Sequence, residues 1–360
     1  WMSHNFESAV AAADLAADEN VSRILSQTRE VVRDPELGMT GTLTALSAQE
    51  SYKVETTAPT GRVRMSDVAL NPATPISLTA GWNWLGYPVD QTMSVDEVFA
   101  NTEVETLDVI VGQNGFAQYD GEKWTGTLET MSPGMGYMYQ SRSAKDVMYN
   151  SSIVSTASAK YTPGISTGLP FVLDIHKYAS VMPVVASLTS ADGAALDCAD
   201  YQVAAFCGTE CRGIGRTVDG MVMMNVYGNA GDRITFTVAD IDGERFFDNS
   251  ASLKFSEDIV GDVFTPYDIT LNDLSGMAGV TYNGNIRVTV DGDILRINGI
   301  APDDIDFVEI YDMDGRKLLR ATGITDSGVT VRGMISGVYI VGRILLSQDS
   351  LTLSISNSIK

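Results

Sequence analysis

The stretch KWTGTLETMSPGMGYMY, residues 123–139, returns in altered form as GMTGTLTALSAQESYKV, residues 38–54. Thr-Gly-Thr-Leu is identical in the two, and Tyr52 and Tyr137 follow it at the same spacing. Extended outward, the alignment sets RILSQ (23–27) against VIVGQ (109–113) and WMSHNF (1–6) against WLGYPV (84–89). Trp124, Gly126 and Leu128 alternate with threonines, as Met39, Gly41 and Leu43 do, which is the two-residue period of a half-buried strand. SPGMG (132–136) supplies turn chemistry before a second strand at 137–139. Ser94 ahead of VDEVFA reads as the N-cap of a short helix; the first copy has its helical piece in ESAVAAADLAADEN (7–20), and PISLTAG (75–81) reads as the strand joining the copies. Each copy is therefore a β-rich unit with one helix. A chain that duplicates a packing unit is more in keeping with a modular surface protein than with an enzyme, which rarely duplicates its active site within so short a span.

The chain has 360 residues, room for two to four domains. With 44% hydrophobic and 19% charged residues it has the composition of folded globular protein. A formal net charge of -22 repels phosphate backbones and anionic lipid surfaces, so neither nucleic acid nor membrane is an expected partner. No apolar run reaches the ~18–20 residues of a bilayer crossing. WMSHNF opens without an initiator methionine or a basic and apolar leader. It aligns with the second tryptophan of GWNWLGY, so the expectation is a segment cut inside a repeat of a longer protein, and a monomer.

Downstream, Asp-Gly pairs begin at positions 192, 219, 242, 291 and 314, each flanked by alternating apolar runs, and they read as type I′ hairpin turns. YQVAAFCG, GMVMMNVYG, RITFTVADIDG and ERFFD predict a meander over 201–248, closed by FTPYDITL, which points to a β-sandwich. The polar NDLSGMAGVTYNGN (272–285) precedes a last unit in which NIRVTVDGDILRING, DFVEIYDMDGRKLLRAT and GVYIVGRILL alternate again. The predicted fold class is mostly β and multi-domain: repeat A at 1–72, repeat B at 73–158, a β-sandwich at 159–274 and a second small sandwich at 280–360.

Side chains able to do chemistry are few. His4 and His176 lie far apart, so a two-histidine metal site or a nucleophile triad lacks its parts, and no catalytic residue is assigned. ADIDGE (239–244) with the FFD after it, and PDDID (302–306), carry oxygens of the kind that bind calcium, but no twelve-residue loop with its final glutamate is present. Asp-Gly serves the hairpins regardless of metal, so no cofactor is assigned and calcium is the one candidate. A pair of carboxylates placed for glycoside hydrolysis is not readable from spacing. Trp82, Trp84, Trp124 and Tyr119 are candidate ligand contacts: exposed they would stack on sugar rings, buried they would fill a small core. The recurrence of Trp1 and Tyr52 at equivalent positions favours burial. In CRGIGR (211–216), Arg212 and Arg216 are candidates for a carboxylate ligand, with internal ion pairs as the competing reading. Three cysteines cannot all pair within the chain. A tight turn over Gly208 would set Cys207 and Cys211 opposite each other on a hairpin; Cys198 with Cys211 is the competing pair, and three buried thiols the alternative to both.

The stretch IRVTVDGDILRINGI, VEIYDMDGRKLLR and ISGVYIVGRILL resembles the C-terminal sorting domain of type IX secretion cargo, a small Ig-like β-sandwich. A Tyr-Asp-x-x-Gly-Arg hairpin and a later Gly-Val-Tyr-x-Val strand recur in that family, matched here by Tyr311, Asp312, Gly315 and Arg316 and by Gly337, Val338, Tyr339 and Val341. The ending LTLSISNSIK departs from the family in its serine content. Upstream, GWNWLGY, FAQYDGEKWTGTLETMSPGMGYMY and YQVAAFCGTECRG are similar to modules of large secreted proteins of Gram-negative anaerobes. The resemblance implies an extracellular or cell-surface location and a host or cell-surface protein or glycan as partner. The expected function is a non-catalytic adhesion, ligand-binding or stalk segment; the alternative is a carbohydrate-binding accessory region of a surface glycoside hydrolase or peptidase.

Overall fold

A computed structural model describes residues 1–58, 67–150, 172–241, 246–272, 287–291, 294–298, 305–311, 317–322, 328–330, 337–346, 350–351 and 356–359. The described chain is mostly β, arranged in several sheets, with α-helix only at Ala12–Leu15 and Val95–Phe99.

In the first unit the sheet runs in the order Gly38–Gly41, Glu30–Asp34, Val21–Leu25, Lys53–Thr56, and Val10–Ala11 pairs separately with Ala45–Leu46. In the second it runs Trp124–Gly126, Gly115–Tyr119, Val109–Gly112, Tyr137–Ser141, Gly81–Leu85, and Met93–Ser94 pairs with Thr130–Met131. Strand for strand the two orders agree, and Met2 bridges Tyr52 where Leu85 pairs with Tyr137. The segment expected to join the copies, Ile76–Leu78, instead pairs with Lys145–Val147, because Ile76, Leu78 and Val147 all bury into the second core.

The shared Thr-Gly-Thr-Leu has a steric cause. A Cβ on Gly126 would lie 2.1 Å from the Phe116 carbonyl oxygen, and one on Gly41 would lie 2.2 Å from that of Glu30. The chain crosses its neighbouring strand at this point, so the strand ends at the glycine and does not continue to the leucine, as the alternation had suggested. Leu128 N–H then donates to Phe116 O and Leu43 N–H to Glu30 O, both at 3.0 Å. Each leucine turns into its own core. The tyrosine behind it latches the next turn: Ser47 N–H donates to the Tyr52 hydroxyl at 2.6 Å, and Ser132 N–H to the Tyr137 hydroxyl at 2.8 Å. Ser94 caps its helix through a capping box with Glu97, and Val95, Val98 and Phe99 fill the second core beneath it.

The third unit is a nine-stranded mixed sheet. Ser180–Ser190 pairs antiparallel with Met221–Gly228 and parallel with Tyr267–Asn272, while Tyr201–Cys207 pairs with Glu210–Ile214 and Arg233–Asp240. Phe246–Asn249 pairs with both Arg233–Asp240 and Tyr267–Asn272 and so joins the two groups. This corrects the expected meander: Met221–Gly228 and Arg233–Asp240 are consecutive but unpaired. Their alternate residues, Val222, Met224 and Val226 on one and Ile234, Phe236 and Val238 on the other, bury in a single core cluster. Glu210–Ile214 and Arg216–Val218, near opposite ends of the strand path, are one stretch broken at Gly215, so the sheet wraps back on itself.

Of the Asp-Gly turns, Asp219–Gly220 is of the expected kind, with φ of 47° and 77° between paired Val218 and Met221. Asp291 is itself paired, with Ile294, and so belongs to the strand and not to the turn; 292–293 lie outside the described residues. At 192, only Gly193 is left-handed. Asp242 and Asp314 lie outside the described residues. The last unit has a three-stranded sheet of Arg287–Asp291, Ile294–Asn298 and Val329–Thr330. Beside it stands a five-stranded one of Ile305–Tyr311, Lys317–Thr322, Gly337–Leu346, Ser350–Leu351 and Ser356–Ile359. Tyr311 and the 337–341 motif fall on strands, whereas Asp312, Gly315 and Arg316 lie outside the described residues. Among the described residues no helix is long and apolar enough to cross a membrane.

Candidate functional site

The first and second units meet through reciprocal contacts. Ser3 N–H donates to Gly134 O and Gly86 N–H to Gln49 O, each at 3.1 Å, and the four residues are alignment equivalents in pairs. The Gln27 side chain accepts from the Trp84 main-chain nitrogen and the Gln113 side chain from that of Trp1, each at 2.9 Å. An interface in which i meets j and j meets i is isologous, the relation that a two-fold axis imposes.

The outer face of the second unit packs on the third. Val109, Val111, Phe116 and Met138 bury in one cluster with Val181, Val185, Met223 and Tyr227. Asn225 Nδ2 donates to Gly112 O at 3.0 Å, and Arg216 reaches Thr127 O at 3.4 Å and Glu129 at 3.3 Å. The equivalent positions of the first unit are Arg23, Leu25, Glu30 and Lys53. There Arg23 ion-pairs with Glu30 and Glu55, all with side chains at least a third exposed. This sheet face is thus apolar in the second unit, where the third packs on it, and carries the partly exposed Arg23, Glu30 and Glu55 ion pairs in the first.

Where the three units meet, Lys53 is 6% exposed. Its ammonium stands 4.7 Å from the Trp1 ring centroid and 4.5 Å from that of Trp84, a cation–π sandwich. Desolvation pulls its pKa down to about 8.

A cleft of about 350 Å³ opens between the second and third units, lined by Asp120, Glu122 and Thr125 of the second and by Asp219, Met221, Val263 and Phe264 of the third. Asp120 Oδ1 accepts from the main-chain nitrogens of Glu122 and Lys123, each at 2.8 Å, and its Oδ2 from the Thr125 hydroxyl at 3.3 Å. Lys123 Nζ lies 2.8 Å from Asp219 Oδ2, and this bond raises the lysine pKa. The Val263 main-chain nitrogen donates to Gln118 Oε1 of the second unit at 2.9 Å, which pins the 262–265 loop across the junction.

The four aromatic candidates do not converge. Trp124 is buried against Phe99, Tyr119 and Tyr139 in the second core, so neither it nor the partly buried Tyr119 is a free platform. Trp82 and Trp84 line the outer seam, Trp82 donating to Asp258 Oδ1 at 3.3 Å and Trp84 covering Lys53. Arg212 is buried, 3.2 Å from Asp232 and stacked 3.9 Å from the Tyr178 centroid, while Arg216 bridges the second and third units, so both serve internal pairs.

All three cysteines are free. In the hairpin Cys207 pairs with Glu210 and Cys211 with Phe206. Cys207 therefore faces the third unit's core and Cys211 the opposite face, which rules out a bond between them and separates Cys211 from Cys198 as well. Burial pushes the Cys211 thiol up to about 11, away from thiolate chemistry. His4, buried where the second copy has Tyr87, accepts from the Phe6 main-chain nitrogen at 3.2 Å. Among the described residues no three His, Cys, Asp or Glu side chains gather as metal ligands; 242–244 and 302–304, within the two acidic stretches, lie outside them. Nothing local in the sequence signals the cleft, because its walls come from 120–125 on one side and from 219–221 and 263–264 on the other, and FTPYDITL reads as a strand that begins at Phe264. No protein-family model matches this chain, and none of the curated proteins matches it.

Proposed function

We propose that this chain is a non-catalytic segment of an extracellular surface protein, an adhesion, ligand-binding or stalk part that holds and presents. The observation that carries this reading is the divergence of one sheet face between two units of equal strand order. The first keeps it charged, and the second has made it apolar beneath the third unit. That is how a duplicated packing unit becomes a rigid body. In this reading the first two units are tandem repeats, the wrapped sheet is a β-sandwich, and the last unit is an Ig-like module resembling the sorting domain of type IX cargo. The engaged state of Arg212 and Arg216 and the raised thiol pKa of Cys211 support holding over converting. The test is incubation of the chain with a broad panel of peptide and glycoside substrates. No turnover is expected; turnover that tracks the protein through purification and disappears on substitution of one of its carboxylates would overturn the reading.

A further inference from the structure

We propose that the cleft between the second and third units is a saccharide-binding site that takes a neutral sugar ring on Phe264. Sugars present an apolar C–H face and a rim of hydroxyls that both donate and accept. A protein site for them needs a fixed aromatic platform with donors and acceptors side by side. Phe264 supplies the platform: it is 61% exposed, and the other large exposed hydrophobic residues among those described are aliphatic. It does not stand alone on the surface: it lines the cleft with Met221 and Val263, opposite Asp120, Glu122 and Thr125, so apolar and polar groups share one concave surface.

Its position is fixed before any ligand arrives. Asp262 Oδ1 accepts from the Phe264 main-chain nitrogen at 2.8 Å and from that of Thr265 at 2.7 Å, and Gln118 holds Val263 from the other unit. The cost of ordering the loop is therefore met in folding and not in binding. The volume of about 350 Å³ falls at the lower end of small-molecule pockets, the size of one or two sugar rings.

The electrostatics favour a polyol over an ion. Asp120 already accepts from two main-chain donors, the Thr125 hydroxyl stands 3.3 Å from Asp120 Oδ2 and 3.4 Å from Asp219 Oδ2, and Asp219 Oδ2 is paired with Lys123, so much of the cleft's negative charge is already met from within the protein. An anion would meet three carboxylates. What remains for a ligand is Asp219 Oδ1 and the exposed Glu122 as acceptors, with the Lys123 ammonium as donor beside them.

The proposal deepens the ligand-binding side of the function proposed above, and the two can fail separately. The experiment is saturation-transfer NMR on the full chain with methyl β-D-glucopyranoside, methyl α-D-mannopyranoside, N-acetylglucosamine and lactose, and with acetyl-arginine amide as the cationic control. Transfer to at least one sugar and none to acetyl-arginine amide is expected. Phe264→Ala should weaken that sugar by about tenfold or more, the worth of one aromatic contact, with an unchanged melting curve. If that variant melts early, Glu122→Ala, at an exposed position, is read in its place with the same expectation. No transfer to any of the four sugars, transfer indifferent to these substitutions, or binding of acetyl-arginine amide instead would overturn the saccharide site while leaving the non-catalytic reading intact.

Discussion

Gly126 and Gly134 stand in the same motif, yet they should respond very differently to a methyl group. At Gly134, with φ of 80° and nothing within 4 Å of the added carbon, alanine meets only backbone strain, about 1–2 kcal/mol. At Gly126 the carbon would sit 2.1 Å from a main-chain oxygen, and backbone cannot step aside as a side chain can. Gly126→Ala should therefore destabilise by at least about 3 kcal/mol, the upper end of ordinary overpacking. Urea unfolding of the two variants side by side checks this, and equal midpoints would refute the crossing as the reason for the glycine. Lys53 makes the reverse prediction, a gain. Its pKa falls from 10.5 in the unfolded chain to about 8 in the folded one, so between those values the unfolded chain binds more protons. Stability then rises with pH through that window, and below about pH 8 the burial penalty is fully present. Replacing Lys53 by methionine, the residue of the equivalent position 138, should stabilise by about 1–3 kcal/mol at pH 7 and by almost nothing near pH 10.5. Urea titrations at the two pH values decide it; a gain independent of pH would mean that the apolar stem, and not the charge, sets the difference.

Asp108 shows how a single side chain ties a loop to two strands. It is fully buried, and its Oδ2 accepts from the Tyr139 hydroxyl at 2.7 Å, Lys145 Nζ at 2.6 Å and the Glu105 main-chain nitrogen at 2.9 Å. Its Oδ1 accepts from the Arg142 main-chain nitrogen at 2.8 Å. Burial, followed by the Asp108 charge, pushes the Tyr139 hydroxyl well above its ordinary range, so it stays a donor at all working pH. Asp108→Asn should cost about 3–5 kcal/mol, because Lys145, only 8% exposed, would lose its closest buried counter-charge. Chemical unfolding measures this; a loss below about 1 kcal/mol would show that Glu105, 2.9 Å from Lys145, suffices alone. Sequence could flag such a residue only as an acid placed directly before the apolar run VIVG, which says that it is out of place but not what it touches. What was legible is what local sterics dictate: the glycine and tyrosine of the duplicated motif, the Ser94 cap and the Asp219 turn. The cysteine geometry was also within reach. A two-residue turn at 208–209 puts Cys207 opposite Glu210, and alternation then sends Cys211 to the other face. Partners distant in sequence were not legible, such as Lys145–Val147 for Ile76–Leu78 or Tyr267–Asn272 for Ser180–Ser190, since apolar alternation marks a strand without naming its neighbour.

The second unit meets the third through an apolar sheet face, whereas the matching face of the first unit carries the Arg23, Glu30 and Glu55 ion pairs, and exchanging the two residue types tests directly what joins the units. Val109 is fully buried between the second and third units, while its equivalent Arg23 is 36% exposed and paired with Glu30 and Glu55. Val109→Arg would drive a guanidinium into a cluster of valines, methionines and aromatic rings without a partner. The cost should exceed about 3 kcal/mol, unless the third unit lifts away to let water in. Arg23→Val would remove only exposed ion pairs and should change stability by less than about 1 kcal/mol. Hydrogen exchange separates the outcomes. In Val109→Arg, the strands Ser180–Ser190 and Met221–Gly228 should lose protection together with Val109–Gly112, whereas the first unit's own strands Val21–Leu25 and Glu30–Asp34 keep theirs. Arg23→Val should leave the whole pattern as it was. Equal and mild effects from both substitutions would mean that the seam is not what fixes the third unit to the second, and the rigid-body account of how this chain presents a ligand or a neighbouring domain would fall with it.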